Sequence, residues 1–139
     1  MAVLLDTAEV LYTLLAADAA LQTNGFSVYG PPGLPVNWTI GKAVVFWGEG
    51  GVGRERLPLT NERVQLRCYG ADAESARLGY RLLADALNRK GHTRVTISGK
   101  TYVLQYASLT SGPYDLQEPE TRWVYVAAFY EVQFYERGV

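Results

Sequence analysis

Hydrophobic residues near the start of the chain recur every three or four positions, whereas in other segments, such as residues 63–69, they alternate with polar residues. The first pattern predicts one amphipathic helix over residues 7–23. Its predicted buried stripe consists of Val10, Leu14, Ala17 and Leu21. Asp6 is placed to cap the first turn, and Gly25 to end the helix in the left-handed conformation that glycine adopts readily.

A second helical pattern covers residues 73–90 and follows Asp72, a favourable N-cap residue. Its predicted buried stripe consists of Ala76, Tyr80, Leu83 and Leu87. Leu78 and Leu82 lie beside this stripe rather than on it. The second helix is therefore predicted to expose only a narrow polar face to water.

Strands are predicted over residues 26–29, 43–47, 63–69, 94–97, 101–109 and 122–136, and apolar and polar residues alternate most clearly over residues 63–69. Residues 30–35 contain three prolines and are predicted to form a rigid, extended connection. Two further segments are predicted to be loops. They are the glycine-rich residues 48–60 and residues 110–120, which contain Pro113 and Pro119.

The last predicted strand is apolar on both of its faces. One face carries Val124, Val126, Ala128, Val132 and Phe134, and the other carries Trp123, Tyr125, Phe129 and Tyr135. Two helices cover about one face of a sheet of this size, so an outer face would ordinarily be polar. The aromatic outer face is a candidate subunit contact. The alternative is a strongly curved sheet that wraps its own core.

Composition indicates one globular domain over residues 1–139, with a formal net charge of -1. That charge argues against nucleic-acid binding driven by bulk charge. Cys68 is the single cysteine, so no intramolecular disulfide is expected and a reducing compartment is indicated. Neither a signal peptide nor an apolar run of about 20 residues is present, so we expect a cytoplasmic protein that does not span a membrane.

Residues 48–53 match the dinucleotide-binding pattern G-x-G-x-x-G after a predicted strand. The mechanism also requires a helix that begins there, because its N-terminus faces the pyrophosphate. Pro58 opposes such a helix. A contact loop is therefore the better interpretation, and a small nucleotide-binding enzyme is kept as an alternative.

No other residue pattern predicts chemistry. His92 is the single histidine and has no partner for a metal site, and Cys68 lies on the inward side of its strand. We therefore predict no catalytic residue, no cofactor and no metal. Arg54, Arg56, Arg63 and Arg67 give a local basic bias, which fits a solvated face, a contact with carboxylates of a neighbouring subunit, or a contact with a nucleic-acid backbone.

The order of these segments resembles the tail terminator, or tail completion, proteins of long-tailed bacteriophages. The resemblance rests on residues 14–21 of the first helix, Val28-Tyr29, the proline-rich residues 31–35, the strand 64–69, the alanine-rich helix 72–87 and the final strand 124–135. It spans nearly the whole chain. The glycine-dense loop and the polar residues 37–43 depart from the family pattern.

The resemblance implies an α+β fold, with a mixed, mostly antiparallel sheet and two main helices packed on one face. It implies a structural virion protein, assembled in the host cytoplasm, that forms a six-membered ring at the head–tail junction. The ring would cap the tail tube, end its polymerisation and bind the head–tail connector. DNA would pass through it without specific binding, and no membrane or enzymatic activity is implied.

A ring protein needs two different surfaces, one for each neighbour. The predicted subunit-contact residues are Leu78, Leu82, Trp123, Tyr125, Phe129 and Tyr135. The predicted loop that contacts the tube or the connector, or lines the lumen, contains Glu49, Arg54, Glu55 and Arg56. The alternative from the same particle is another head–tail connector component, such as a neck or stopper protein.

Overall fold

The structure, a computed structural model, describes residues 7–30, 34, 38, 41–54, 59–89, 93–97 and 99–136. The helices are α1 (Thr7–Ala16), α2 (Ala19–Thr23) and α3 (Ala73–Arg89). The strands are β1 (Ser27–Tyr29), β2 (Ala43–Arg54), β3 (Leu59–Gly70), β4 (Arg94–Ile97), β5 (Lys100–Gln117) and β6 (Val124–Glu136).

The strands form one sheet in the order β1-β2-β3-β6-β5-β4. Among the described strands, β1 and β2 are the one parallel pair, and the other neighbours are antiparallel. The predicted α+β fold with a mixed, mostly antiparallel sheet is therefore confirmed. We call the face that packs against the helices the inner face, and the opposite one the outer face.

The hydrophobic core lies between the helices and the inner face. Its largest fully buried side chains include Leu11, Leu15 and Leu83 from the helices, and Phe46, Leu66, Leu104 and Phe134 from the strands. Cys68 is also fully buried there, as its strand position predicts. Burial of this apolar surface supplies most of the stabilisation of such a fold.

The first helix is not continuous, which corrects the prediction of one helix over residues 7–23. α1 ends at Ala16, and the buried carboxylate of Asp18 accepts a hydrogen bond from the Leu21 amide at 3.1 Å. Asp18 thereby caps α2 as a separate helix. Val10, Leu14 and Leu21 of the predicted stripe are buried, but Ala17 is exposed because it lies in the break. Asp6 lies outside the described residues.

The helix α3 agrees with its prediction over the described residues. Asp72 caps it by accepting a hydrogen bond from the Ser75 amide at 2.8 Å. Gly79 lies where α3 crosses Phe26, and an added Cβ would sit 2.5 Å from the aromatic ring. This helix can therefore approach the chain after α2 only because residue 79 has no side chain.

The two predicted loops are largely strand, which is a second correction. β2 continues through Arg54 and pairs with β3, with a register irregularity between Gly48 and Gly51 that accommodates the extra residues. Glycine weakens a strand, but pairing with β3 maintains this one. Residues 55–58 lie outside the described residues.

β5 likewise continues to Gln117 instead of ending at residue 109. It contains three register shifts, and Pro113 lies in the last of them, where a missing amide interrupts the ladder least. Gly112 has a φ of +97°, and an added Cβ would lie 2.9 Å from the Ala127 carbonyl oxygen. These irregularities explain why the sequence of this segment is more typical of a loop.

Candidate subunit-contact surfaces

We call the end of the sheet where β2 begins and β5 ends its lower end. There the outer face carries an aromatic cluster of Trp38, Tyr69, Trp123 and Tyr125. Trp38 comes from the connection between β1 and β2 and packs edge-on against Trp123, with ring centroids 4.8 Å apart. Tyr69 is almost fully buried beneath it. The chain therefore covers part of its own outer face, and Trp123 and Tyr125 are half-buried before any partner binds.

Arg67 extends this cluster with a charge held between two rings. Its guanidinium lies 5.0 Å from the Trp47 centroid and 4.7 Å from the Tyr125 centroid. It also donates to the Tyr69 hydroxyl at 3.4 Å and lies 3.8 Å from the Glu118 carboxylate. The positive charge is thus engaged within the chain, which makes Arg67 part of the fold rather than a free contact for nucleic acid.

The Tyr69 hydroxyl donates to the Glu118 carboxylate at 2.6 Å. Burial, together with this hydrogen bond, raises the pKa of Tyr69 to about 12. Glu118 also accepts from the Thr121 hydroxyl, and its backbone pairs with Trp123 and Arg122. The turn after β5 is consequently fixed to the outer face.

Farther along the outer face, toward the end of β6, Arg63 and Glu131 are directly opposite each other on β3 and β6. The Arg63 guanidinium also lies 5.3 Å from the Phe129 ring centroid. Glu131 accepts a hydrogen bond from the Tyr106 hydroxyl at 3.0 Å. Phe129 is therefore half-buried among polar neighbours.

The structure places the predicted contact residues on two separate surfaces. Trp123, Tyr125, Phe129 and Tyr135 share the outer face, and each is half-buried. Leu78 and Leu82 are half-buried on α3, and Leu82 packs against the core. Glu49 and Arg54 belong to β2, whereas Glu55 and Arg56 lie outside the described residues. A role of these residues in contacts with other subunits stays a prediction.

Several of the most exposed large apolar residues in the described part of the chain lie on β5, and the sequence pattern did not predict their exposure. Four large apolar side chains of this strand are at least 38% exposed: Tyr106 (38%), Leu109 (43%), Tyr114 (47%) and Leu116 (45%). We call these four residues the β5 band. The alternation of Tyr114 and Leu116 was an available signal, but Gly112-Pro113 directly before them indicated a loop.

The β5 band lies on an edge of the sheet. β4 pairs with β5 only from Lys100 to Val103. Among the described strands, none therefore pairs with the backbone edge of residues 105–117 that faces away from β6. An unpaired strand edge presents free backbone donors and acceptors. Here it coincides with exposed apolar side chains, which is the combination that a strand-pairing contact uses.

The described residues contain no group of three or more histidine, cysteine or acidic residues able to hold a metal. Burial raises the pKa of the Cys68 thiol, which opposes formation of the reactive thiolate. Gly48 to Gly53 form part of β2, so the helix that dinucleotide binding requires does not begin there. His92 lies outside the described residues.

Comparison with known proteins gives one informative similarity. No model of a protein family matches the sequence, and no curated protein is similar to it in sequence. A chain from the virion of a native gene transfer agent particle has a similar structure, with a TM-score of 0.65, 15% identity and coverage of 90% of this chain and 91% of that chain. At this identity the likeness establishes the fold alone.

Within the described part of the chain, no helix combines the length and the apolar character needed to cross a membrane.

Proposed function

We propose that this chain is a structural protein of a phage-like virion and that it acts as a tail terminator. In this role it forms a ring, of six copies as in the family that the sequence resembles, which caps the tail tube and ends its polymerisation. The ring then offers a surface to the head–tail connector, and DNA passes through it without specific binding.

One observation carries the proposal: the fold is similar over 90% of this chain and 91% of a chain in a gene transfer agent virion. The likeness thus extends over nearly all of both chains and is not confined to a short shared fragment. The segment order of the sequence supports the same role independently.

A neck or stopper component is the alternative within the same particle, because the similar chain is described only as part of the virion. The two roles differ in what the ring binds. A terminator binds the end of the tail tube, whereas a neck component binds a portal or an adaptor.

The test is capping of tail tubes assembled from the tube protein of the same particle. Tubes polymerise alone or with increasing amounts of this protein, and electron microscopy records their lengths and ends. A terminator stops elongation and adds a ring at one end. Elongation that is unaffected, with binding to portal complexes instead, would identify a neck component, and binding to neither would contradict both roles.

A further inference from the structure

The geometry points to a head-to-tail contact in which β1 of one copy pairs with the free lower edge of β5, residues 114–117, in a second copy. This inference rests on the proposed function and specifies how neighbouring subunits of the ring join. Its occupant is a second copy of this chain. Strand direction, matched positions across the sheet and charge favour this contact.

Two rows of paired residues cross the whole sheet from β1 to β5. The first row runs Ser27–Ala43–Tyr69–Tyr125–Leu116, and the second runs Tyr29–Val45–Arg67–Ala127–Tyr114. Each row begins at the β1 end of the sheet and ends at one of the two most exposed residues of the β5 band. Copies placed side by side in the same orientation therefore bring Ser27 next to Leu116, and Tyr29 next to Tyr114.

The strand directions favour pairing in this arrangement. β1 is parallel to β2, and three antiparallel steps lead from β2 to β5, so β1 and β5 run in opposite directions. A neighbouring copy in the same orientation thus presents an antiparallel partner. Such pairing satisfies edge backbone groups while Tyr29 packs beside Tyr114 on the outer face.

Charges match in the same register. Lys42 is exposed and directly precedes β2, and the Ser27 amide donates to its carbonyl oxygen. The acidic turn with Glu118 and exposed Glu120 directly follows β5. At this register Lys42 of one copy lies level with the acidic turn of the next, and its ammonium, which donates to the Asn24 carbonyl oxygen within the chain, has the complementary charge.

The length of the free edge suits a short partner. The bulges around Ser111 and Pro113 separate residues 105–109 from residues 114–117. The lower segment has four residues and β1 has three, so β1 fits it without crossing the irregular part. The two contacting surfaces differ, which makes the contact heterologous and lets it close into a ring if the rotation permits.

Cysteine cross-linking between two separately purified variants tests the contact. Ser27→Cys and Leu116→Cys are both at exposed positions, and cross-strand neighbours in an antiparallel pair lie within the Cα separation that a disulfide tolerates. The native Cys68 is buried and serves as an internal non-reacting thiol. Ser108→Cys is the matched control, since it is exposed on β5 but lies higher on the sheet.

The expected result is a disulfide-linked dimer when Ser27→Cys is mixed with Leu116→Cys under mild oxidation, at a yield at least fivefold above the mixture with Ser108→Cys. Each variant alone should remain monomeric on a non-reducing gel. Equal yields in both mixtures, no dimer, or efficient linking of one variant to itself would each overturn the inference.

The failure of this contact is distinguishable from the failure of the proposed function. If native mass spectrometry finds a ring and tubes are capped, but Ser27→Cys and Leu116→Cys do not link, the function stands and the joint is elsewhere. If tubes are not capped, the terminator role is wrong even when the two cysteines link.

Discussion

The carboxylate of Asp18 lies 3.3 Å from a terminal guanidinium nitrogen of Arg89, so the start of α2 is joined to the end of α3. Asp18 is only 2% exposed, whereas the Arg89 side chain is half-exposed. The same carboxylate caps α2. A single buried acid thus fixes two helices relative to each other.

Asp18→Ala should lower the free energy of unfolding by about 2 kcal/mol, because it removes an N-cap and the partner of Arg89. Chemical denaturation followed by circular dichroism measures the change. Arg89→Ala is the control and should lower the free energy of unfolding by less. In the natural chain the Arg89 guanidinium is half-exposed and is shared with Asp85, so its ion pairs contribute little. Equal losses in the two variants would show that the ion pair, not the cap, is the main contribution.

Gly79→Ala should destabilise the fold by about 1–2 kcal/mol, even though alanine is the better helix former. The reason is the 2.5 Å approach of the new Cβ to the Phe26 ring. A double-mutant cycle with Phe26→Leu checks the cause. The cost of Gly79→Ala should shrink in the Phe26→Leu background, and an unchanged cost would assign it to another contact.

The stability of the protein should fall as the pH rises from 10 to 12, partly because of Tyr69. Its pKa is raised to about 12 in the folded chain, so the unfolded chain loses this proton first. The contribution of Tyr69 to the free energy of unfolding is fully present below the pKa of an unfolded tyrosine, about 10. By pH 11 about 1 kcal/mol of it is lost. Denaturation at pH 8 and pH 11 should show a smaller decrease for Tyr69→Phe than for the natural chain.

Tyr114→Lys should weaken self-association by roughly tenfold, because it places a charge where an apolar contact is proposed. Tyr12→Lys is a closely matched control: Tyr12 is 46% exposed, against 47% for Tyr114, but lies on α1 and is not part of the proposed strand pair. Sedimentation across a concentration series compares the two. Similar weakening by both substitutions would indicate a general effect of charge.

Glu120→Lys should weaken assembly by roughly two- to fivefold, and the effect should decrease at high salt. The proposed neighbour of this residue is Lys42, so a chain with both Glu120→Lys and Lys42→Glu should recover part of the loss. Lys42 also lies over the Phe26 ring, so thermal stability of each variant needs to be measured alongside. If assembly of the double variant is no stronger than that of Glu120→Lys alone, the two residues are not neighbours across the contact.

The helices and most strands follow from the sequence, because period and capping residues report local structure directly. Asp72 and Gly25 act as predicted, the latter with a φ of +80°. The break at Asp18 was not predicted, since its capping role depends on burial against α3. Local pattern carries no information on that contact.

The candidate surface was less predictable than the fold. The outer position of Trp123 and Tyr125 follows from alternation, but their partner Trp38 comes from a distant connection. The β5 band was missed because Gly112 and Pro113 are typical of loops, and it is the pairing of the flanking Ser111 and Tyr114 with β6 that keeps this segment in the sheet. An edge is a property of the sheet order, which no single segment specifies.

The hydrogen bonds around Glu118 have a kinetic consequence for assembly. The turn is already held by Tyr69, Thr121 and the backbone of Trp123 in the single chain, so it does not have to become ordered when a neighbour arrives. A preorganised contact loses little conformational entropy on binding. Collisions with the correct orientation should then succeed without a slow rearrangement, and subunits should be incorporated at a rate set mainly by diffusion.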